Sequence, residues 1–434
     1  MTRPALYPHQ KACLAMTKGL DRAAYYLDMG LGKTFVASEK MLELGCTANI
    51  VLCQKSKIGD WVEHLHTHTD IRVYACTKAG LDKAAAMVSL GVPTCVVANY
   101  ELAWRRAKQL KGLMEGHRSV LVLDESSQIQ NPKAKQTRFV MSLSPSCVIL
   151  LSGTPCSGKY ENLWTQARLL GWDVSQEAFN ASYVNFRTIR VGLAFHKVVD
   201  MADPYRNVTR LRQKLGEHGA VFMKAEDCFS LPPQTFTMVK VPASDTYLRF
   251  LKDRVAVAGG KELAGSTTLT YRLYLRQLCG PYCDAKAQAF ADLLASTNDR
   301  LVVFYNWVAE RELLMELCRK AGRAVSRVDG ELKDLSAYGE DPSSVTLCQY
   351  QAGAMGLNLQ LASKAVYYSL PERSDLFEQS KARIHRIGQD RPCFYWLLVC
   401  EGSVEERIAG ALRMRKDYTD ELFRKDYAID GGRR

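Results

Sequence analysis

The segment Leu27-Asp28-Met29-Gly30-Leu31-Gly32-Lys33-Thr34 does most to limit what this chain can fold into. Before it, Ala23-Ala24-Tyr25-Tyr26-Leu27 has the length and composition of a buried strand. After it, Phe35 to Leu44 is rich in helix formers and stops at Gly45. A strand therefore feeds a helix through a turn that carries two glycines. Gly30 and Gly32 let backbone N–H groups curl around phosphate oxygens at the positive end of that helix, where its dipole favours an anion. Lys33 would reach the outer phosphates and Thr34 would ligate magnesium. Leu27 stands where the strict pattern has its first glycine, so a nucleotide reading needs partner motifs elsewhere.

At 434 residues the chain exceeds one ordinary core, and two domains is the working count. Apolar residues at 47% and charged residues at 24% fit a globular protein rather than a disordered or fibrous one. The net charge of +12 permits a polyanion partner without naming it. Fourteen cysteines are scattered singly through apolar runs, which predicts reduced core thiols; Cys279 and Cys283 would need two distant ligands to hold zinc, and no metal framework is expected there. Met1 to Gln10 lacks the apolar core of a signal peptide, and no run of about 18 apolar residues is present, so a soluble chain is expected.

Short apolar runs alternate with helical patterns through the first third: Ile50 to Cys53, Thr94 to Ala98, Val120 to Leu123 and Val148 to Leu151. Runs without polar alternation belong to strands covered on both faces, hence to a parallel α/β sheet whose active site lies at the carboxyl ends. Polar clusters sit at those ends, at Asp28 to Thr34, Gln54 to Ser56, Asn99 to Glu101, Asp124 to Ser127 and Ser152 to Pro155. Phe179 to Lys214 breaks the rhythm; Arg187, Arg190, Lys197, Arg206, Arg210, Arg212 and Lys214 face only Asp200 and Asp203 in its latter part. This basic stretch is a candidate contact for a nucleic-acid backbone. A second series follows at Leu301 to Tyr305, Val345 to Cys348, Ala365 to Tyr368 and Phe394 to Val399, with no phosphate loop of its own. The expected organisation is a first α/β lobe over residues 1–175, a helical insertion and connection over 176–283, and a second lobe over 284–434 that ends in a bracing helix.

Asp124 and Glu125 close the Val120-to-Leu123 run. Beside a phosphate loop, Asp124 can hold magnesium and Glu125 can orient and deprotonate a water that attacks the γ-phosphate. With this pair in view, the chain resembles the Swi/Snf-type ATPases of helicase superfamily two, whose members are double-stranded-DNA translocases. The resemblance runs from Tyr7-Pro8-His9-Gln10 to about Ile408. It rests on Asp28 to Thr34, on Gly153-Thr154-Pro155 followed by Glu161 and Leu163-Trp164, on Gly353 to Leu359, and above all on Gln379 with Arg383-Ile384-His385-Arg386-Ile387-Gly388-Gln389.

The resemblance implies two tandem RecA-like lobes, each a parallel sheet covered by helices. It also implies ATP with Mg2+, and DNA, duplex by preference, as partner. By the same resemblance Gln10 would read adenine; Asp28, Met29, Gly30, Leu31, Gly32, Lys33 and Thr34 would hold the phosphates with Gly356, Asn358 and Gln379; Thr34 and Asp124 would hold the metal. Lys33, Asp124, Glu125, Arg383 and Arg386 would carry catalysis. Two departures stand out. Ser127 occupies the place of the family's histidine after the paired carboxylates, which leaves open how that turn is linked to Ser152-Gly153-Thr154. Leu27 and Asp28 replace an acidic residue and a glutamate. The residues alone leave room for a strand-separating or RNA-remodelling ATPase and for a non-catalytic scaffold. The small size resembles versions found in the cytoplasm of bacteria and phage-infected cells.

Overall fold

A computed structural model of the chain describes residues 5–191, 193–350 and 357–423. Two units emerge, Met1–Cys228 with Lys416–Arg434 and Phe229–Arg415.

The first unit is built on a sheet with the strand order β3-β4-β2-β5-β6-β1-β9. Its strands are β1 (Arg22–Leu27), β2 (Ala48–Cys53), β3 (Arg72–Ala75), β4 (Thr94–Asn99), β5 (Ser119–Asp124), β6 (Cys147–Ser152) and, after a hairpin of β7 (Phe186–Val191) and β8 (Ala194–Val199), β9 (Ala220–Met223). Every pairing in this sheet is parallel. The apolar runs are buried as expected: Ala24, Tyr26, Ile50, Leu52, Val96, Leu121, Leu123, Val148 and Leu150 belong to one core. Burying each of its larger aliphatic side chains contributes about 1.5–3 kcal/mol, so the sheet interior is the firmest support available to whatever stands at its rim. In register, Tyr26 lies beside Ser152 and Asp124 beside Leu151, which brings the carboxyl ends of β1, β5 and β6 level.

Residues 176–228 fall within the expected helical insertion, and they do contain helices Gln176–Tyr183 and Val208–Glu217. They also contain the antiparallel β7–β8 hairpin and the sheet strand β9. The cause is local. Phe186-Arg187-Thr188-Ile189-Arg190 contains an aromatic and two β-branched residues, the types that favour a strand.

In the second unit the order is β10-β18-β17-β13-β16-β14-β15. The strands are β10 (Gln234–Val241), a hairpin of β11 (Val255–Ala258) and β12 (Lys261–Ala264), β13 (Leu301–Tyr305), β14 (Val325–Val328), β15 (Lys333–Asp334), β16 (Val345–Gln349), β17 (Lys364–Tyr367) and β18 (Cys393–Cys400). All pairings within its sheet are parallel except β14 with β15. Because β10 pairs along its whole length with β18, this sheet begins at Gln234, well before the expected start of the second lobe at residue 284. The last helix, Val404–Phe423, buries Ile408, Ala409 and Leu412 in the unit's core; residues 424–427 of the expected bracing helix lie outside the described residues.

At the foot of that helix Lys286 and Glu405 form a fully enclosed ion pair at 2.5 Å. Burial lowers the pKa of the Lys286 amine, but the Glu405 carboxylate, with Cys400 and Cys279 beside it, more than offsets this and pushes it up. The thiols of Cys279, Cys283 and Cys400 gather at the same corner, with 3.6 Å between the last two. The two ligands missing near Cys279 and Cys283 in the sequence thus have candidates in Cys400 and Glu405, but both Glu405 oxygens already accept from Lys286.

Candidate active site

Helix Lys33–Leu44 starts where the chain leaves β1, and the turn between them is left-handed at both glycines, with φ of 88° at Gly30 and 72° at Gly32. Gly32 also leaves room for the Gln10 side chain. A Cβ there would stand 2.3 Å from Gln10 Nε2, which donates to the Leu31 carbonyl at 3.2 Å. His9 meets the same carbonyl at 3.0 Å, so the short helix Pro8–Met16 is pinned to the loop through two side chains. Lys33 Nζ curls back to donate to the carbonyls of Leu27 and Asp28, at 2.9 and 3.2 Å. Asp28 turns its carboxylate the other way and accepts from the backbone N–H of Ala225 just after β9. Met29 and Thr34 are half-buried, and Leu31 is buried.

The carboxylate pair stands across from Lys33. Asp124 accepts from Trp61 Nε1 at 2.9 Å and from the N–H of Glu125 at 3.1 Å. Burial pushes its carboxyl above the usual range, against the Trp61 hydrogen bond and the pull of Lys33 and Lys57. Such a group gains from any further cation. Glu125 has φ 50° and ψ 60°, a left-handed conformation that costs a non-glycine residue about 1–2 kcal/mol. Neighbours hold it there: Tyr100 donates to the Asp124 carbonyl at 2.8 Å, and the N–H of Gln128 to the Glu125 carbonyl at 2.8 Å.

The turn after β6 closes the group. A Cβ on Gly153 would lie 3.4 Å from the Leu27 carbonyl and 3.5 Å from Lys33 Nζ, so this glycine lets the Ser152–Pro155 segment press against the phosphate loop. Ser152 Oγ accepts from the N–H of Thr154, and the buried Thr154 hydroxyl finds no hydrogen-bond partner among the described residues. These groups suit a nucleoside triphosphate with a hard divalent cation. The loop has N–H groups and an ammonium for phosphate, Thr34 and Asp124 offer oxygen ligands, and an orphaned hydroxyl borders the site. The donor set fits.

The second unit assembles its own cluster. Arg383 and Arg386 each place Nη1 3.4 Å from the Leu357 carbonyl, and Arg386 also donates to the Asn358 side chain. Burial lowers the pKa of the Arg386 guanidinium. Gln389 fastens this turn by donating to the carbonyls of Gln360, Ala362 and Ile384. Gln379 is buried on helix Ser374–Lys381, its Oε1 without a partner among the described residues. Gly356 and the rest of Gly353–Gly356 lie outside the described residues.

The reading from sequence thus finds Gln10, the 28–34 loop, Asp124, Glu125 and Gly153 gathered in one unit, and Asn358, Gln379, Arg383 and Arg386 in the other. It missed Trp61, Tyr100 and Gln166. Trp61 lies on helix Ile58–His68, beyond the cluster at the end of β2; Tyr100 falls within the Asn99-to-Glu101 cluster, but its bond to the Asp124 carbonyl exists only once β4 and β5 stand in one sheet.

Residues 22–281 match the model of the SNF2-related domain. The chain belongs to the SNF2-related family. The matched span holds the phosphate loop, Asp124–Glu125 and Gly153; the arginine cluster lies beyond it. This SNF2-related chain is similar to the mouse SWI/SNF-related matrix-associated actin-dependent regulator of chromatin subfamily A member 1, at 24% identity over 90% of this chain and 40% of that one. It is also similar to the putative ATP-dependent helicase/translocase YwqA of Bacillus subtilis, at 22% identity over 92% of this chain and 46% of the other. It therefore spans less than half the length of either relative. Among solved structures, a Sulfolobus solfataricus SWI2/SNF2 ATPase core in complex with dsDNA aligns at 18% identity, covering 96% of this chain and 93% of that one, with a TM-score of 0.44. No helix of the described residues is long and apolar enough to cross a membrane.

Proposed function

We propose that this chain hydrolyses ATP and uses the cycle to track along duplex DNA. The observation that supports the reading best is the meeting of Lys33, the Asp124–Glu125 pair and Gly153 at the carboxyl rim of one parallel sheet. On this reading the N–H groups of the loop and the Lys33 ammonium bind the phosphates, Lys33 exchanging two backbone carbonyls for phosphate oxygens. Thr34 and Asp124 would hold Mg2+, which when bound neutralises phosphate charge. Glu125 orients a water and accepts its proton as the oxygen attacks the γ-phosphorus. Arg383 and Arg386 add positive charge to the phosphoryl in transit. ATP turnover titrated with duplex DNA, single strands and RNA tests the whole. Stimulation by RNA or single strands above duplex would favour the remodelling or strand-separating alternative.

Lys33→Ala should weaken ATP binding and slow turnover, each by about ten- to a hundredfold, because a charge-assisted bond is lost before and during reaction. Unchanged ATP affinity in equilibrium dialysis would remove Lys33 from the phosphate site.

For the nucleic acid, the basic stretch sorts itself by face. Arg206, Arg210 and Lys214 line one open concavity with Tyr205 and Asn207, whereas Arg212 lies off it. Arg187, Arg190 and Lys197 are exposed on the β7–β8 hairpin. If the concavity follows a phosphate backbone, neutralising Arg206, Arg210 and Lys214 together should flatten the salt dependence of duplex binding. The log-log slope should fall by about 0.9 for each phosphate no longer neutralised. Fluorescence anisotropy on one duplex across a salt series measures it, and an identical slope in the triple variant would assign these charges to solvent.

A further inference from the structure

Gln166 lies on helix Trp164–Leu169 and is completely buried. Its amide reaches three strand ends. Oε1 accepts from Ser126 Oγ at 2.7 Å and from Tyr26 Oη at 3.1 Å; Nε2 donates to the Pro155 carbonyl at 2.7 Å. The chemistry of the partners determines which way the amide faces. A carbonyl can only accept, so the NH2 must face Pro155, and both hydroxyls must then donate to the oxygen. Tyr26 is two residues before Asp28 in the strand that carries the phosphate loop, Ser126 follows Glu125, and Pro155 ends the Ser152–Pro155 turn. One side chain therefore ties together the three segments that form the candidate active site, yet it touches none of the groups assigned to chemistry.

We infer that Gln166 is a positioning residue for hydrolysis: through Ser126 it locks the strained Glu125 turn to the Pro155 turn and to β1. The inference rests on the reading of Glu125 as the base in ATP hydrolysis. Three observations support a positioning role. Glu125 needs outside restraint because its left-handed backbone is unfavourable for a residue with a Cβ. Tyr100 and Gln128 restrain the carbonyls on either side of that residue, but neither connects it to the Pro155 turn. Gln130 does reach the Pro155 carbonyl, at 3.0 Å, but from the far end of the short helical turn Ser126–Ile129. Ser127, which replaces the histidine of the resembling family, has its neighbour Ser126 making the connection instead. A glutamine in a helix interior looks like a solvated residue in sequence, and only the packing reveals otherwise.

The second donor on Pro155 makes the test clean. Tyr26→Phe, Ser126→Ala and Gln166→Leu combined delete all three bonds while the Pro155 carbonyl keeps Gln130, so no buried polar atom of the set is stranded. The combined variant is expected to unfold within a few degrees of the parent chain, to keep KM for ATP within about twofold, and to lose kcat by about tenfold or more, as small misplacements of reacting groups do. Ser126→Ala alone, which removes one oxygen and leaves the fold its other contacts, should lower kcat severalfold at unchanged KM. If the parent turns over ATP and both variants match its kcat, the positioning role is wrong and Gln166 serves packing alone. If the parent turns over ATP no faster than Glu125→Gln, the reading of the base falls, and this inference with it.

Discussion

Glu125→Gln is expected to bind ATP as the parent chain does and to turn it over about a hundred- to ten-thousandfold more slowly, the range that a positioned general base contributes. The substitution keeps shape and hydrogen-bonding reach but removes the atom that takes the proton. Its backbone environment predicts that the fold survives. The left-handed conformation is held by Tyr100, Gln128 and Ser126, all through groups other than the Glu125 carboxylate. Affinity and rate therefore separate: dialysis or a fluorescent ATP analogue should give an unchanged dissociation constant, and phosphate release a collapsed rate. Near-parental phosphate release would take the base assignment away from Glu125.

Arg386→Ala should cost about a thousandfold or more in turnover if its guanidinium stabilises the phosphoryl in transit as arginine fingers do. The physical ground lies in what the side chain now touches. Arg386 is held by the Leu357 carbonyl and the Asn358 amide, two neutral acceptors, and burial has already removed part of its hydration. A charge in that state gains more from an arriving anion than one in open water. Arg386→Lys should recover little, because a single ammonium lacks the planar fork that spans two oxygens. Duplex affinity should be nearly unchanged in both variants. Loss of DNA binding with intact hydrolysis would move this arginine to the nucleic acid.

What the sequence disclosed follows from what each segment buries. β2, β4, β5 and β6 were legible because both their faces are covered, so they read as unbroken apolar runs. β3 was not, since Arg72-Val73-Tyr74-Ala75 is an edge strand whose ends are exposed. β10 escaped for the same reason, with Phe236 and Met238 exposed in a strand that reads as half polar. For the candidate site, the loop and the paired carboxylates were evident because contiguous residues carry their chemistry. Trp61 and Gln166 were not, because each acts on a residue tens of positions away, 63 in the one case and 40 in the other. Their roles exist only once the sheet has brought those positions together.

The placement of β1 bears on how such a chain is made. Its two neighbours come late: Arg22 pairs with Val148, and Leu27 with Met223. At the usual pace of synthesis, roughly 5–20 residues per second, the interval between β1 and β9 leaving the ribosome is about 10–40 s. Throughout it the Ala23-to-Leu27 run has only β-edge groups and apolar side chains to offer, a template for mispairing with other nascent chains. Chaperones that hold extended apolar segments would act in that window. The turn that follows β1 is thus translated well before the strands that fix its shape.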